Sequence, residues 1–161
     1  DLGFNILINE NILGNAKLTA REKTIIDYAT LYHNKYRVPD LITGTPLDAE
    51  LKYYTSIVRD ADKLDILKGI VDGNIPKEAN ASRISPEVFN DIQNHQLVHF
   101  SHVKSNNDEI ATYFSYVFDI KSTRAKEILN EQSLLYKLAA STTASTDLQE
   151  IYFKTKNIYE R

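Results

Sequence analysis

The densest group of chemically useful side chains lies in residues 56–67, which read Ser-Ile-Val-Arg-Asp-Ala-Asp-Lys-Leu-Asp-Ile-Leu. Three carboxylates and two cations occur here within an apolar helical pattern: Arg59, Asp60, Asp62, Lys63 and Asp65. Residues three apart on a helix share a face, so we expect Asp62 and Asp65 to point together towards an apolar interior. A buried carboxylate costs several kcal/mol unless a cation, a metal ion or hydrogen-bond donors compensate its charge. The segment therefore predicts a polar site whose partner is a neighbouring cation or a metal ion.

The composition restricts what such a site can contain. The chain has 161 residues, 42% of them hydrophobic, and no cysteine. Thiolate ligands are therefore excluded, and a metal ion would need His, Asp, Glu or Asn. A formal charge of -3 gives no broad attraction to nucleic acid or to an anionic membrane. No run approaches the roughly 18 apolar residues of a membrane span. We expect a cytoplasmic protein of one domain, compatible with a homo-oligomer, whose partner is neither a membrane nor nucleic acid.

His33 is the nearest candidate to share that site. Residues 19–22 have the spacing of a capping box, which predicts a helix that begins near Ala20 and places His33 near its C-terminal end. One loop then separates this helix from the helix that contains residues 56–67. The end of the first helix can lie against the second, which would bring an imidazole and a carboxylate together. The pair could hold a divalent metal ion, or His33 and Asp62 could simply hydrogen-bond across two helices.

The elements that must position these residues are all predicted to be helices. Apolar residues recur at three- and four-residue intervals along the chain, and strand-like alternation is not sustained anywhere. Ser85 followed by Pro86 predicts another helix start. Thr146 with Gln149 resembles a further capping box before a final helix. We therefore predict an all-α fold.

Two polar segments outside residues 56–67 are weaker candidates. Lys35, Tyr36 and Arg37 follow His33 in a loop that could meet a phosphate-bearing ligand or could simply be solvated. Three histidines have spacings of four and three, which on one continuous helix would align three imidazoles for a metal ion: His95, His99 and His102. Their neighbours are polar and no acid accompanies them in this pattern. We interpret the three histidines as an exposed face without function.

Two segments together resemble a known family. His33-Asn34-Lys35-Tyr36 followed by Arg59-Asp60-Ala61-Asp62-Lys63-Leu64-Asp65 resembles the back half of the HD-domain metal-dependent phosphohydrolases. Residues 117–120, Val-Phe-Asp-Ile, and the helices after them are similar to the C-terminal part of a bacterial subgroup of that family. The resemblance implies an HD-domain-like helical bundle formed by residues 1–161 as a single domain. Residues 1–75 would be the back half of its core, and residues 76–161 a C-terminal helical extension packed on it.

The resemblance also implies roles for individual residues. Asp62 matches the family's late metal-binding Asp, and His33 looks like a histidine that binds a second metal ion or a substrate phosphate. The remaining implied roles are catalytic orientation by Asn34 and Lys63, support of the metal ligands by Arg59, Asp60 and Asp65, and substrate binding by Lys35, Tyr36 and Arg37. The cofactor would be a divalent metal ion, Mn, Mg, Fe, Ni or Zn. The substrate would be a small phosphorylated metabolite or a nucleotide, hydrolysed as a phosphomonoester or phosphodiester.

The sequence departs from the family pattern in one respect. It contains no His-Asp doublet, and no histidine precedes His33. Residues 1–3 resemble those just after a further family histidine, and the sequence contains no methionine, so we expect the other ligands upstream. The full protein would then be a phosphohydrolase. The alternative is a non-catalytic helical binding or regulatory module of degenerate HD type, in which Asp62 and His33 only hold two helices together.

Overall fold

A computed structural model describes residues 2–14, 16–40, 42–75 and 77–159. Within these ranges the regular structure is entirely helical, which confirms the predicted all-α class. The helices are α1 (Leu2–Asn9), α2 (Ala20–Tyr32), α3 (Asp48–Val71), α4 (Pro86–Gln93), α5 (Asn106–Ser115), α6 (Thr123–Glu131), α7 (Leu134–Ser141) and α8 (Thr146–Tyr159), with 3-10 turns at Phe100–His102 and Tyr116–Phe118. Among these helices none has the length and apolar character needed to cross a membrane.

The chain divides into two compact units, residues 1–62 and residues 63–161. The division falls inside α3, so this helix contributes its first part to one unit and its last part to the other. A single domain made of residues 1–75 and 76–161 stays a prediction. The unit of residues 63–161 has a continuous core of apolar side chains from α3, α4, α5, α7 and α8, which includes Leu67, Val88, Ile92, Ile110, Phe114, Leu138, Leu148 and Ile151.

The predicted start of α2 is confirmed at Thr19. The hydroxyl oxygen of Thr19 accepts a hydrogen bond from the amide of Glu22, and the carboxylate of Glu22 accepts one from the amide of Thr19 at 2.7 Å. This reciprocal pair satisfies two amides that the first turn of a helix leaves without partners. Hydrogen bonds from the amide and hydroxyl of Thr19 also hold the pKa of the Glu22 carboxyl below its ordinary value.

Substitution Thr19→Ala is expected to lower the free energy of unfolding by about 1 kcal/mol, because the amide of Glu22 loses its capping oxygen. Urea denaturation followed by circular dichroism at 222 nm measures the change. Lys17→Ala serves as the control, since Lys17 is exposed and precedes the cap. Equal stability of the two variants would contradict a stabilising role for the capping box.

A carboxylate fixes the loop that leads into α3. The two oxygens of Asp48 accept hydrogen bonds from the amides of Ile42, Thr43 and Gly44 at 3.1, 2.8 and 3.0 Å. The Thr43 hydroxyl donates a further hydrogen bond at 2.6 Å and is the largest cause of the lowered pKa of Asp48. Gly44 adopts a φ of 71°, in the left-handed region that glycine enters without steric cost. Asp48, the first residue of α3, therefore holds the preceding loop against the start of the helix.

A second set of buried polar side chains fixes the segment of residues 80–85. Asn107 is fully buried, and its carboxamide donates to the carbonyl oxygens of Asn80 and Ser82 at 2.9 and 2.7 Å. Asp108, also fully buried, accepts from the amide and hydroxyl of Ser85, each at 2.7 Å. Residues 80–85 form an irregular segment, so their backbone groups lack the hydrogen-bond partners that a helix would provide. Side chains in the first turn of α5 supply such partners instead.

The final helix begins one residue away from the predicted cap. Thr146 is already the first residue of α8, and the hydroxyl of Ser145 accepts from the amide of Leu148 at 3.3 Å. The carboxamide of Gln149 donates instead to the carbonyl oxygen of Ala139 at 2.8 Å. The predicted capping box at Thr146 and Gln149 is therefore wrong, because Ser145 is the capping residue and Gln149 contacts the end of α7.

Candidate functional site

The charged segment of α3 buries a different face from the one predicted. Arg59, Asp60 and Lys63 are only 4%, 2% and 5% exposed, whereas Asp62 is half-buried and Asp65 is exposed. The expectation that Asp62 and Asp65 point together into an apolar interior is therefore wrong. The buried stripe of α3 advances in steps of four residues, through Leu51, Thr55, Arg59, Lys63 and Leu67. Two cations occupy positions of this stripe, and their polar partners compensate the cost of burying them.

Arg59 joins the middle of α3 to the end of α2. Its Nη1 atom lies 2.9, 3.1 and 2.5 Å from the carbonyl oxygens of Tyr32, His33 and Lys35. These carbonyls belong to the last turn of α2 and the residues just after it. Carbonyl oxygens at the end of a helix have no intrahelical hydrogen-bond donor. A cation at this position also interacts favourably with the negative end of the helix dipole. The structure thus confirms that the end of α2 lies against α3.

His33 has a defined ring orientation. Its Nδ1 atom lies 2.7 Å from the carbonyl oxygen of Thr30. A carbonyl oxygen can only accept, so Nδ1 carries the proton and donates. In the neutral ring the lone pair is then on Nε2. Histidines that bind metal ions in proteins commonly have their other ring nitrogen held in this way by a backbone carbonyl.

His33 and Asp62 do not lock the two helices by contacting each other. Between these two described residues the structure contains neither a hydrogen bond nor an ion pair, and the junction is held by Arg59 instead. Asp62 follows Arg59 by three positions and so lies on the same side of α3. Across the described ranges, no three His, Cys, Asp or Glu side chains are grouped closely enough to hold a metal ion. The structure thus does not join the carboxylate of Asp62 and the imidazole of His33 by a direct contact.

The loop after His33 presents its side chains to solvent. Asn34, Lys35, Tyr36 and Arg37 are all exposed, Tyr36 by 46%. The carbonyl of Lys35 is bound by Arg59, so the backbone path at the start of the loop is fixed. Both sequence-based interpretations, a phosphate-binding surface and a solvated basic loop, stay predictions.

Lys63 has a partner that the sequence did not reveal. Its ammonium nitrogen lies 2.8 Å from Oδ2 of Asp119 and 5.7 Å from the centre of the Tyr116 ring. Both partners come from the turn that follows α5. Residues 117–120 contribute to the family resemblance, but nothing in their spacing indicates a contact with α3. The one local signal is that Lys63 occupies the apolar stripe of a helix, where a lysine requires a partner.

The three spaced histidines are not aligned on one helix. α4 ends at Gln93, and His99 instead precedes a 3-10 turn whose last residue is His102. Contrary to the prediction an acid accompanies them, because Asp91 accepts from Nδ1 of His102 at 2.6 Å and from the amide of His99 at 3.1 Å. Asp91 precedes His99 by eight residues and His102 by eleven, and it reaches both because the chain reverses after α4. These contacts stabilise the turn.

Comparison with known proteins does not assign a family or a function to this arrangement of residues. No family model matches the chain, and no curated protein or solved structure matches it either.

Proposed function

We propose that the protein is a metal-dependent phosphohydrolase of HD type, acting on a phosphomonoester or phosphodiester of a nucleotide or a related metabolite. The orientation of His33 carries the proposal. The carbonyl of Thr30 holds its Nδ1–H, so Nε2 is the nitrogen that can bind a metal ion. Arg59 binds the backbone of the same histidine, one helical turn from Asp62. The proposal places this oriented imidazole and the family-matched carboxylate of Asp62 in one site.

These two residues suit a divalent metal ion by chemistry. Asp62 offers a carboxylate oxygen and His33 an imidazole nitrogen. Ions of Mn, Fe, Ni and Zn bind both kinds of ligand, whereas Mg²⁺ binds mainly oxygen ligands. A bound divalent ion would supply water activation and charge neutralisation for attack on phosphorus. The sequence has no His-Asp doublet, so the ligand set of the proposed site needs residues besides Asp62 and His33.

The exposed loop supplies groups for the phosphate. Asn34, Lys35 and Arg37 carry donors, and phosphate oxygens favour donors that are charged. Because Arg59 fixes the backbone at His33 and Lys35, these side chains start from a defined position beside the imidazole. We propose that they bind the phosphate group, with Tyr36 against the apolar part of the substrate. Asp60 is buried, whereas Asp65 is exposed.

Metal removal tests the proposal. The full-length protein is treated with a chelator, dialysed, and assayed on para-nitrophenyl phosphate and bis(para-nitrophenyl) phosphate with Mn²⁺, Mg²⁺ or Zn²⁺ added back. We expect hydrolysis to disappear on chelation and to return with at least one ion, and the preferred ester identifies the reaction class. An unchanged circular dichroism spectrum is the control for unfolding. Hydrolysis that persists without metal, or that no ion produces, would contradict the proposal.

The second candidate function is a non-catalytic helical binding or regulatory module. The contact that favours it is the Arg59 guanidinium, which holds the end of α2 through three backbone carbonyls and needs no metal ion to do so. A module of this kind would keep its fold and its partner after chelation and would hydrolyse neither ester. The same assay therefore separates the two functions.

A further inference from the structure

A surface cavity in the unit of residues 63–161 is lined by none of the residues of the proposed phosphohydrolase site. The end of α6, the start of α7 and the middle of α8 surround it, and all three belong to the same compact unit. Its volume is about 430 Å³, within the range of roughly 300–1,000 Å³ found for cavities that bind small organic molecules. The cavity is therefore large enough for such a ligand.

Much of the cavity lining is apolar. Leu129, Leu135 and Tyr152 line the cavity and are 1%, 8% and 9% exposed, so they also belong to the hydrophobic core of the unit. Tyr136 lines the cavity as well, but it is 63% exposed, so the cavity opens to solvent beside this residue. Aromatic rings bury a large apolar area and pack favourably against one another. A ligand with an aromatic ring therefore suits this lining.

The hydroxyl of Tyr152 has no hydrogen bond within the described residues. The backbone carbonyl of Tyr152 accepts from the Thr155 hydroxyl at 3.0 Å, but no described group pairs with the phenolic oxygen. Tyrosine side chains that are buried usually have a hydrogen-bond partner for this oxygen. Because Tyr152 lines the cavity, a ligand with an acceptor atom can supply that partner.

The start of α7 contributes polar groups to the cavity. Ser133 precedes α7 with a φ of 52°, and its hydroxyl does not cap the helix but lies 3.5 Å from the carbonyl oxygen of Asn130. A capping side chain normally reaches the first-turn amides from an extended backbone, so these amides of α7 have no side-chain acceptor from Ser133. Amides at the start of a helix carry partial positive charge and favour an anion. Asn130 and Ser133 both line the cavity, so the start of α7 borders it.

The charge of the lining also favours an anion. Among the described residues that line the cavity, the one charged side chain is the cation Lys156, and none is acidic. Lys156 takes part in a further interaction, so the preference for an anion rests mainly on the start of α7. We propose that the cavity binds a small aromatic carboxylate, whose ring packs against Leu129 and Leu135 and whose carboxylate accepts hydrogen bonds from Tyr152 and from the first turn of α7. This site is independent of the proposed phosphohydrolase activity.

Isothermal titration calorimetry of the full-length protein with 2-naphthoate tests the proposal, and the neutral 2-naphthamide is the matched ligand control. We expect one saturable site for 2-naphthoate. Its affinity should be at least about fivefold higher than that of 2-naphthamide, because hydrogen bonds to a charged acceptor are roughly twice as strong as neutral ones. In ¹⁵N–¹H spectra, 2-naphthoate should shift the amide resonances of Asn130, Ser133 and Leu135. The absence of saturable binding, or equal affinities for the two ligands, would overturn the proposal.

Two substitutions test individual contacts of the site. Tyr152→Phe removes only the hydroxyl and should weaken 2-naphthoate binding about 3- to 10-fold, the effect of one lost hydrogen bond. Its melting temperature should stay unchanged, because no described hydrogen bond of that hydroxyl is lost. Tyr136→Ala removes an exposed ring of the lining and should weaken binding by a similar factor. Phe100→Ala removes an 88% exposed ring of the same unit that does not line the cavity, and should bind as wild type. Wild-type affinity in Tyr152→Phe or in Tyr136→Ala would contradict the proposed site.

Discussion

Substitution Asp62→Ala is expected to reduce kcat/KM for metal-dependent hydrolysis by at least about 100-fold, because the loss of a ligand should exceed the 10- to 100-fold cost of losing a group behind one. The residue is half-buried and lies one turn after Arg59 on α3, so a smaller side chain there should leave the helix intact. Bound metal should fall together with activity. Initial rates with the preferred ester and metal content by mass spectrometry measure the two effects.

Asp65→Ala is the matched control for that substitution. It removes an acid from the same helix three positions later, at an exposed position. It should change kcat/KM by less than a few-fold, since an exposed charge contributes little to a nearby site in salt-containing buffer. Similar losses of kcat/KM in Asp62→Ala and Asp65→Ala would indicate that activity depends on the negative charge of α3 in general, not on Asp62 as a ligand. Full activity of Asp62→Ala would refute its role as a ligand.

Substitution Asp108→Ala should lower the free energy of unfolding by about 3 kcal/mol or more, the cost of leaving several buried donors without an acceptor. The carboxylate accepts from the amide and hydroxyl of Ser85 and from the amide of Lys104, at 2.7, 2.7 and 3.0 Å. Urea denaturation measures the loss. Glu127→Gln, which removes an exposed acid paired with Arg124, should change stability by less than about 0.5 kcal/mol. If Asp108→Ala lowered the free energy of unfolding by less than about 0.5 kcal/mol, the role of its carboxylate as a buried hydrogen-bond acceptor would be contradicted.

The same carboxylate predicts a dependence on pH. Burial by itself raises the pKa of the Asp108 carboxyl, but hydrogen bonds from Ser85 and Lys104 outweigh burial and hold the pKa below its ordinary value of 3.8. A carboxyl with a lowered pKa in the folded state stabilises the protein above its unfolded-state pKa. That contribution is lost as the pH falls through the lowered pKa. Wild-type stability should therefore decline below about pH 4 more steeply than that of Asp108→Asn.

Local patterns explain which features could be predicted from the sequence. The all-α class follows from apolar periodicity, and the start of α2 follows from residues 19–22, whose hydrogen bonds join near neighbours. The buried face of α3 could not be predicted in the same way. Arg59 and Lys63 occupy it because distant groups, the carbonyls at the end of α2 and the carboxylate of Asp119, compensate their charge. Acids outnumber cations in this segment, but the described contacts with distant groups are made by the cations Arg59 and Lys63.

The same distinction between local sequence patterns and contacts with distant groups applies to the candidate site. Proximity of His33 to the middle of α3 was predicted because one loop separates the two helices. The ring orientation of His33 depends on the carbonyl of Thr30, and the spacing of polar residues does not indicate that hydrogen bond. The contact between Asp91 and His102 likewise depends on the reversal of the chain after α4, which the local sequence pattern does not indicate.

The Arg59 contact has a consequence for how this protein can diversify. All three described acceptors at the end of α2 are backbone carbonyls, which every amino acid possesses. Exchange of the side chains at positions 34, 36 and 37 would therefore leave the anchoring of the loop intact. For the proposed phosphohydrolase, surface substitutions would then change the preference among phosphorylated compounds without rebuilding the α2–α3 junction. Directed evolution of substrate range should accordingly begin at these three positions and leave Arg59 unchanged.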